Sequence, residues 1–270
     1  MNKHLSPREI QRWYPGQWSD IVGNSKLVQA WHDLIKNGGT NMLVTGPSRT
    51  GKTRSISLGI MAAMCPNRSV ELNPCYKCST CEQLVNAREN HYGLFSLLSG
   101  ARTSYFAVDC ETVTLEELKS VVRNASSEHV PTFIYLDEIA ALGRRNIENY
   151  ILKAIDETPA IWIASAISVL ERNEKGKAKR SLGLSEPILA RFAIKVGTTL
   201  PRERILANWI NHRCKEWEIT IDREEEIIPL LIKRSYNRVG MVIQVLAVAA
   251  TRGRHITLDF VQSFNFQAED

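Results

Sequence analysis

No stretch of this 270-residue chain approaches the ~20 consecutive apolar residues needed to span a bilayer. Its first residues, Met1-Asn2-Lys3-His4-Leu5-Ser6-Pro7-Arg8, lack the apolar core of a secretory signal. These absences argue against a membrane protein or an exported one, and the expected location is the cytoplasm. Internal repeats and low-complexity tracts are not apparent either. An excess of one charge is nearly lacking: 34 Lys and Arg against 29 Asp and Glu leave a net +5. So small a surplus favours a polyanionic partner only slightly. Cysteine is scarce, with six in the chain, and in an intracellular protein thiols serve more often as metal ligands or packed side chains than as disulfides. What remains, 44% hydrophobic and 23% charged residues, predicts a soluble globular protein of one large or two modest domains.

Against that background one segment stands out. Gly46-Pro47-Ser48-Arg49-Thr50-Gly51-Lys52-Thr53 fits the phosphate-binding pattern G-x-x-x-x-G-K-[ST] and directly follows the apolar run Met42-Leu43-Val44. Glycines there let successive backbone N–H groups curl round β- and γ-phosphates, and the helix expected over 54–64 starts with its positive dipole end aimed at the same charge. Lys52 supplies a point charge to the terminal phosphates and Thr53 a hydroxyl ligand for Mg²⁺. The expected ligand is ATP with Mg²⁺.

Further along, the periodicity predicts a helix over 26–36, a strand over 105–108 and a helix over 114–125 that opens on a Thr114/Glu117 capping box. A buried strand over 132–136, a helix over 146–155 and a strand over 161–164 follow. Strands alternating with helices predict an α/β parallel sheet covered on both faces. From about residue 200 the pattern changes to helices over 201–216, 224–235, 240–251 and 258–264, with no convincing strand. The expected division is therefore an α/β nucleotide-binding domain over 1–198 and a helical lid domain over 199–270. The stretch 171–186, with Arg172, Lys175, Lys177, Lys179, Arg180, Gly176 and Gly183, reads as a basic loop.

Two constellations add chemistry. The strand Phe133-Ile134-Tyr135-Leu136 ends in Asp137-Glu138; with a phosphate loop upstream, Asp137 is expected to hold Mg²⁺ and Glu138 to polarise the attacking water. A plain solvated strand end is the bland alternative. Cys65, Cys75, Cys78 and Cys81 supply four thiols in two overlapping C-x2-C units at one end, the ligand count of a closed, structural Zn²⁺ site in an insert at about 65–85. Cys110 and Cys214 stand alone and read as packed thiols. Ser165, at the end of the strand over 161–164, is placed to touch a γ-phosphate or the lytic water, although strand ends also carry serine for turn reasons.

These residues together resemble the AAA+ clamp-loader ATPases, most of all the γ/τ subunit of the bacterial replicative polymerase's clamp loader, from about Arg12 to Leu258. Trp13-Tyr14-Pro15 through Asp20-Ile21-Val22-Gly23 is similar to the family's adenine-pocket segment W-R-P-x-x-F-x-D-V-V-G, with Tyr14 and Trp18 in place of its Arg and Phe. The four-cysteine insert stands where the bacterial subunit has one, and Leu142-x-Arg144-x8-Lys153 through Glu157-x-Pro159 is similar to the family's helix with an acidic-proline end. The resemblance implies that Val22 and Gly23 line the adenine pocket and that Ser165 senses the γ-phosphate. Ile188-Leu189-Ala190-Arg191-Phe192 aligns with the S-R-C segment, which makes Arg191 an arginine finger acting on a neighbouring subunit. Where the family's lid carries G-x-x-R, this chain has Asn237-Arg238-Val239-Gly240, so Gly240 takes the arginine's place and Arg238 is the candidate substitute.

The implied protein is an ATPase that assembles with itself or related AAA+ subunits, in a ring or filament, on DNA, and loads a partner such as a sliding clamp. The family's collar domain is not found in this sequence, which is expected either of an excised piece or of a relative that assembles differently. A DNA-bound AAA+ regulator of transposition, phage replication or defence is the alternative, and a non-hydrolysing structural subunit of a clamp-loader-like complex the second alternative.

Overall fold

The computed structural model describes residues 16–90, 104–127, 130–145, 147–172 and 178–266. Arg12, Trp13, Tyr14 and Pro15 of the adenine-pocket segment, Asn146, and Lys175 and Lys177 of the basic stretch lie outside them. Contacts gather the chain into two units: Lys26–Gly46 with Ser55–Gly197, and Pro47–Arg54 with Thr198 onward and the segment ending at Ser25.

In chain order the elements up to residue 197 are α1 (Ser25–Asn37), β1 (Met42–Gly46), α2 (Lys52–Met64), α3 (Ser79–Asn90), β2 (Ser104–Asp109), α4 (Leu115–Ser127) and β3 (Thr132–Asp137). Then come α5 (Ala140–Arg144), α6 (Glu148–Glu157), β4 (Ile161–Ile167), β5 (Val169–Arg172), β6 (Ala178–Ser181), α7 (Glu186–Ala190) and β7 (Ile194–Gly197). Five strands form a wholly parallel sheet of order β2-β3-β4-β1-β7. Its inner strands are apolar runs, Met42-Leu43-Val44, Phe133-Ile134 and Trp162-Ile163-Ala164, because both their faces are buried. β2, at the sheet edge, instead alternates buried and half-buried positions.

Local chemistry sets the helices that flank the site. α4 opens on the expected capping box: Thr114 N donates to Glu117 Oε2 at 2.7 Å and Glu117 N to Thr114 Oγ1 at 3.2 Å. α1 and α2 meet at Trp31 and Gly59, where a Cβ on Gly59 would lie 2.2 Å from Trp31 Cδ2. Only a glycine lets that fully buried indole lie against the helix that follows the phosphate loop. The stretch expected to be a loop at 171–186 is in part a hairpin: β5 and β6 pair antiparallel, Val169 opposite Ser181 and Arg172 opposite Ala178. Short charged strands carry no apolar alternation from which a sequence reading could find them.

After residue 197 the chain forms α8 (Glu203–Glu216), β8 (Thr220–Ile221), α9 (Glu224–Arg234), α10 (Val239–Thr251), β9 (His255–Ile256) and α11 (Leu258–Ser263). The two-residue strands, which pair parallel, correct the expectation of helices alone; two residues are too few to leave a period. Leu206, Ile210, Leu231, Val242 and Leu246 form this unit's core, and Val22 joins it. The turn at Trp18–Asp20 is anchored there by Asp20. Its Oδ2 accepts from Gly16 N at 2.8 Å and Gln17 N at 2.9 Å, while Oδ1 pairs with Arg213 of α8, both side chains being buried. Gly23 adopts φ +69° with its Cα so close to the chain that a Cβ would sit 3.0 Å from Pro201 Cβ.

Candidate active site

β3 and β4 lie side by side and end together, so their terminal polar residues meet. Ser165 Oγ donates to Asp137 Oδ1 at 2.6 Å and accepts from Glu138 N at 2.9 Å. Ser165 O accepts from Ile139 N at 2.9 Å, so one fully buried serine pins the whole Asp137-Glu138-Ile139 turn. Tyr135 OH donates to the same Asp137 Oδ1 at 2.6 Å; with its one proton used there, its 3.5 Å approach to Ser165 Oγ is secondary. Glu138 has φ +52°, a conformation that a side chain with a Cβ adopts at a cost. Its carboxylate is held by Ile167 N, which donates to Oε2 at 2.9 Å. The result is an oriented pair of half-buried carboxylates at the carboxyl end of a parallel sheet, where ligands of such sheets bind.

Gly46, the last residue of β1, leads into the phosphate loop with φ +144°, followed by Arg49 at +60° and Gly51 at +93°. Thr50 Oγ1 lies 2.8 Å from Pro47 O, to which it donates, and 2.7 Å from Thr198 Oγ1. Lys52 is 6% exposed and its ammonium donates to Pro47 O at 3.1 Å, which holds it over the loop rather than out in water. Thr53 is exposed in the first turn of α2. Gly240 N donates to Arg49 O at 3.1 Å, so the start of α10 touches this loop. Val22 is packed in the helical core and Arg238 stands at the N-terminus of α10.

Arg191 closes α7. Its guanidinium donates to Pro187 O at 2.8 Å, to Leu152 O at 3.3 Å and to Asp156 Oδ2 at 2.5 Å, so the side chain is braced between α7 and α6 of its own chain. Asn41 supports the same corner: its Nδ2 donates to Arg191 O at 3.1 Å and its Oδ1 accepts from Trp162 N at 2.9 Å.

The four expected cysteines converge, with all Sγ atoms within 4.8 Å of one another. Cys65 follows the end of α2 and Cys81 lies in the first turns of α3, both buried, while Cys75 and Cys78 come from the turn between them. Tetrahedral Zn–S bonds would set neighbouring sulfurs about 3.8 Å apart, and Cys65 Sγ to Cys78 Sγ is 4.0 Å. Backbone N–H groups point at the sulfurs: Lys77 N and Cys78 N at Cys75 Sγ (3.5 and 3.3 Å), Cys81 N at Cys78 Sγ (3.4 Å) and Cys75 N at Cys65 Sγ (3.4 Å). Such donors favour thiolate. The bond from Lys77 N is the main reason that the Cys75 thiol falls to about 6. A donor set this soft, closed and hydrogen-bonded fits a thiophilic ion. Cys110 and Cys214 are buried, and burial pushes both thiols up, Cys214 to about 12.

No family model and no curated protein matches the chain. Among solved structures it is similar to a single-residue variant of Thermotoga maritima RuvB, at 16% identity over 93% of this chain and 72% of that one, with a TM-score of 0.59. It is similar also to the structure described as the Thermotoga maritima RuvB Holliday junction branch migration motor, at 14% identity over 93% and 72%, TM-score 0.56. The fold is the AAA+ P-loop fold.

Within that AAA+ fold the structure brings Asp137, Glu138 and Ser165 together in one unit, and Val22, Gly23, Arg238 and residues 47–53 fall in the other. Sequence reasoning missed Tyr135, Asn41 and the Asp20–Arg213 pair. Tyr135 had a usable signal: it stands two residues before Asp137 on a strand, hence on the same face, and is the only hydroxyl between Phe133 and Leu136. Among the described residues no helix is long and apolar enough to cross a membrane.

Proposed function

We propose that this chain is an ATP-binding and ATP-hydrolysing AAA+ module that works as an oligomer on DNA in the cytoplasm. The observation that carries the reading is the convergence of Tyr135 and Ser165 on one oxygen of Asp137, beside a glutamate held at positive φ, in a sheet whose strand β1 runs straight into a phosphate loop. An AAA+ nucleotide-binding domain then spans 1–198 and a helical lid 199–270.

In this mechanism the loop N–H groups of residues 46–53 and Lys52 bind the β- and γ-phosphates, and Val22 and Gly23 border the adenine. Thr53 and Asp137 supply oxygens for Mg²⁺, which neutralises charge on the phosphates when bound. Glu138 takes the proton of the attacking water, its carboxylate aimed by Ile167 N. Ser165 and Tyr135 fix Asp137; a direct touch of Ser165 on the γ-phosphate requires the hydroxyl to leave Asp137, to which its proton goes. Arg191 of one subunit stabilises developing charge in the site of the next, for which it must swing from Asp156. Cys65, Cys75, Cys78 and Cys81 hold a structural Zn²⁺.

Likeness in fold to a Holliday junction branch migration motor supports DNA as the polymer, and the cysteine insert supports a clamp-loader-like role in which a protein such as a sliding clamp is loaded. A DNA-bound regulator of transposition, phage replication or defence uses the same site. Electron microscopy of the protein with a non-hydrolysable ATP analogue and duplex DNA tests the assembly. Closed or gapped rings support the loader, helical filaments on DNA support the regulator, and monomers under all conditions contradict both.

A further inference from the structure

A phosphate loop holds its ligand through backbone N–H groups and one lysine, which leaves the side chain at position 49 with no part in that task. Yet Arg49 is in the left-handed region, φ +60°, where glycine sits without a penalty and arginine does not. Such a residue persists where its surroundings impose it. Two hydrogen bonds and the room left by a glycine tie it to α10. Gly240 N donates to Arg49 O at 3.1 Å. A Cβ on Gly240 would lie 3.2 Å from Arg49 O and 3.3 Å from Arg49 Cβ, so the helix presents a seat without a side chain. Arg49 Nη1 donates to Gln244 Oε1 at 2.9 Å, and Gln244 lies one turn on from Gly240, on the same face.

We propose that Arg49 is a positioning residue that couples the phosphate loop to α10, so that nucleotide held by the loop is transmitted to the helical unit through the Arg49–Gln244 bond and the Gly240 seat. This rests on the ATP reading. The cationic side chain sits on the loop and its acceptor on the helix, so ordering the loop around phosphates orders the helix with it. Coupling of this kind does not require Arg49 to touch nucleotide.

Hydrogen exchange of the full chain, with and without Mg²⁺ and a non-hydrolysable ATP analogue, reads the coupling directly. The analogue is expected to slow exchange at the start of α10 by about tenfold in the wild type, a usual size for linked sites. Gln244→Ala, which lies outside the loop, should lose that slowing while binding the analogue within about threefold of wild type, because loop N–H groups and Lys52 hold the phosphates, and Arg49→Gly should lose the slowing as well. Gln244→Glu, which makes the acceptor anionic, should keep or increase it. Arg49→Gly should melt no lower than wild type, since glycine adopts φ +60° freely, so that loss of coupling is not loss of fold. Tight binding with equal slowing in wild type, Arg49→Gly and Gln244→Ala overturns the coupling alone. Absence of analogue binding to wild type overturns the coupling and the ATP reading together.

Discussion

Ser165 and Asp137 are joined across two adjacent parallel strands by a 2.6 Å hydrogen bond that ends on Asp137 Oδ1, the oxygen Tyr135 also uses. Both donors fall on one oxygen, so under the proposed ATPase reading Oδ2 would be the one offered to a metal ion. A carboxylate fixed at one oxygen has a single orientation to offer, and that preorganisation is what a magnesium-dependent site needs.

Tyr135→Phe tests this clamp. Removing the hydroxyl leaves the ring buried and Ser165 in place, so the fold is expected to hold. The Mg²⁺ concentration for half-maximal hydrolysis should rise by about tenfold, in the range found when a partner of a metal-ligating residue is removed. Titration of the hydrolysis rate with Mg²⁺ checks it.

Arg191→Ala is expected to lower hydrolysis by about a thousandfold, the usual effect of losing an arginine finger, with ATP binding retained. Mixing Arg191→Ala with Lys52→Ala protein should restore activity, because an intact finger then faces an intact loop. Steady-state rates over a range of mixing ratios measure this, and a flat response would count against action in trans.

Much of this architecture is legible in the sequence because buried parallel strands are apolar runs with carboxylates or glycine at their ends. Met42 to Gly46 and Thr132 to Asp137 are of that kind. The carboxylate cluster follows from the end of β3 and Ser165, since the neighbouring strand β4 ends beside β3. Tyr135 was hidden because an aromatic residue inside a strand reads as packing. The Arg49 contacts were hidden for a different reason: Arg49 and Gln244 are 195 residues apart, and no local pattern links a loop side chain to a helix that distant. The hairpin of β5 and β6 is too polar, and β8 and β9 too short, to leave a period.

The cysteine cluster predicts about one equivalent of zinc per chain in protein prepared without chelator, measured by elemental analysis. Cys78→Ser should lose the metal and loosen the end of α2, because Cys65 directly follows that helix and joins it to the turn. Less than about half an equivalent in wild type would contradict a structural site.

Gly59→Ala should destabilise the fold by about 3 kcal/mol, the upper range for overpacking, because the new Cβ meets the fully buried Trp31 ring. In an open helix the same change stabilises by up to about 1 kcal/mol, so the sign alone is diagnostic. Urea denaturation gives the value.

The central proposal is that the chain hydrolyses ATP with Glu138 as its general base. Steady-state ATP hydrolysis with and without duplex DNA, in wild type and Glu138→Gln, tests it most directly, alongside equilibrium binding of ATP. The expected result is DNA-stimulated hydrolysis in wild type and a loss of at least about a hundredfold in Glu138→Gln, as for removal of a general base, with ATP still bound. No hydrolysis above background in wild type, or the same rate in Glu138→Gln, would contradict it.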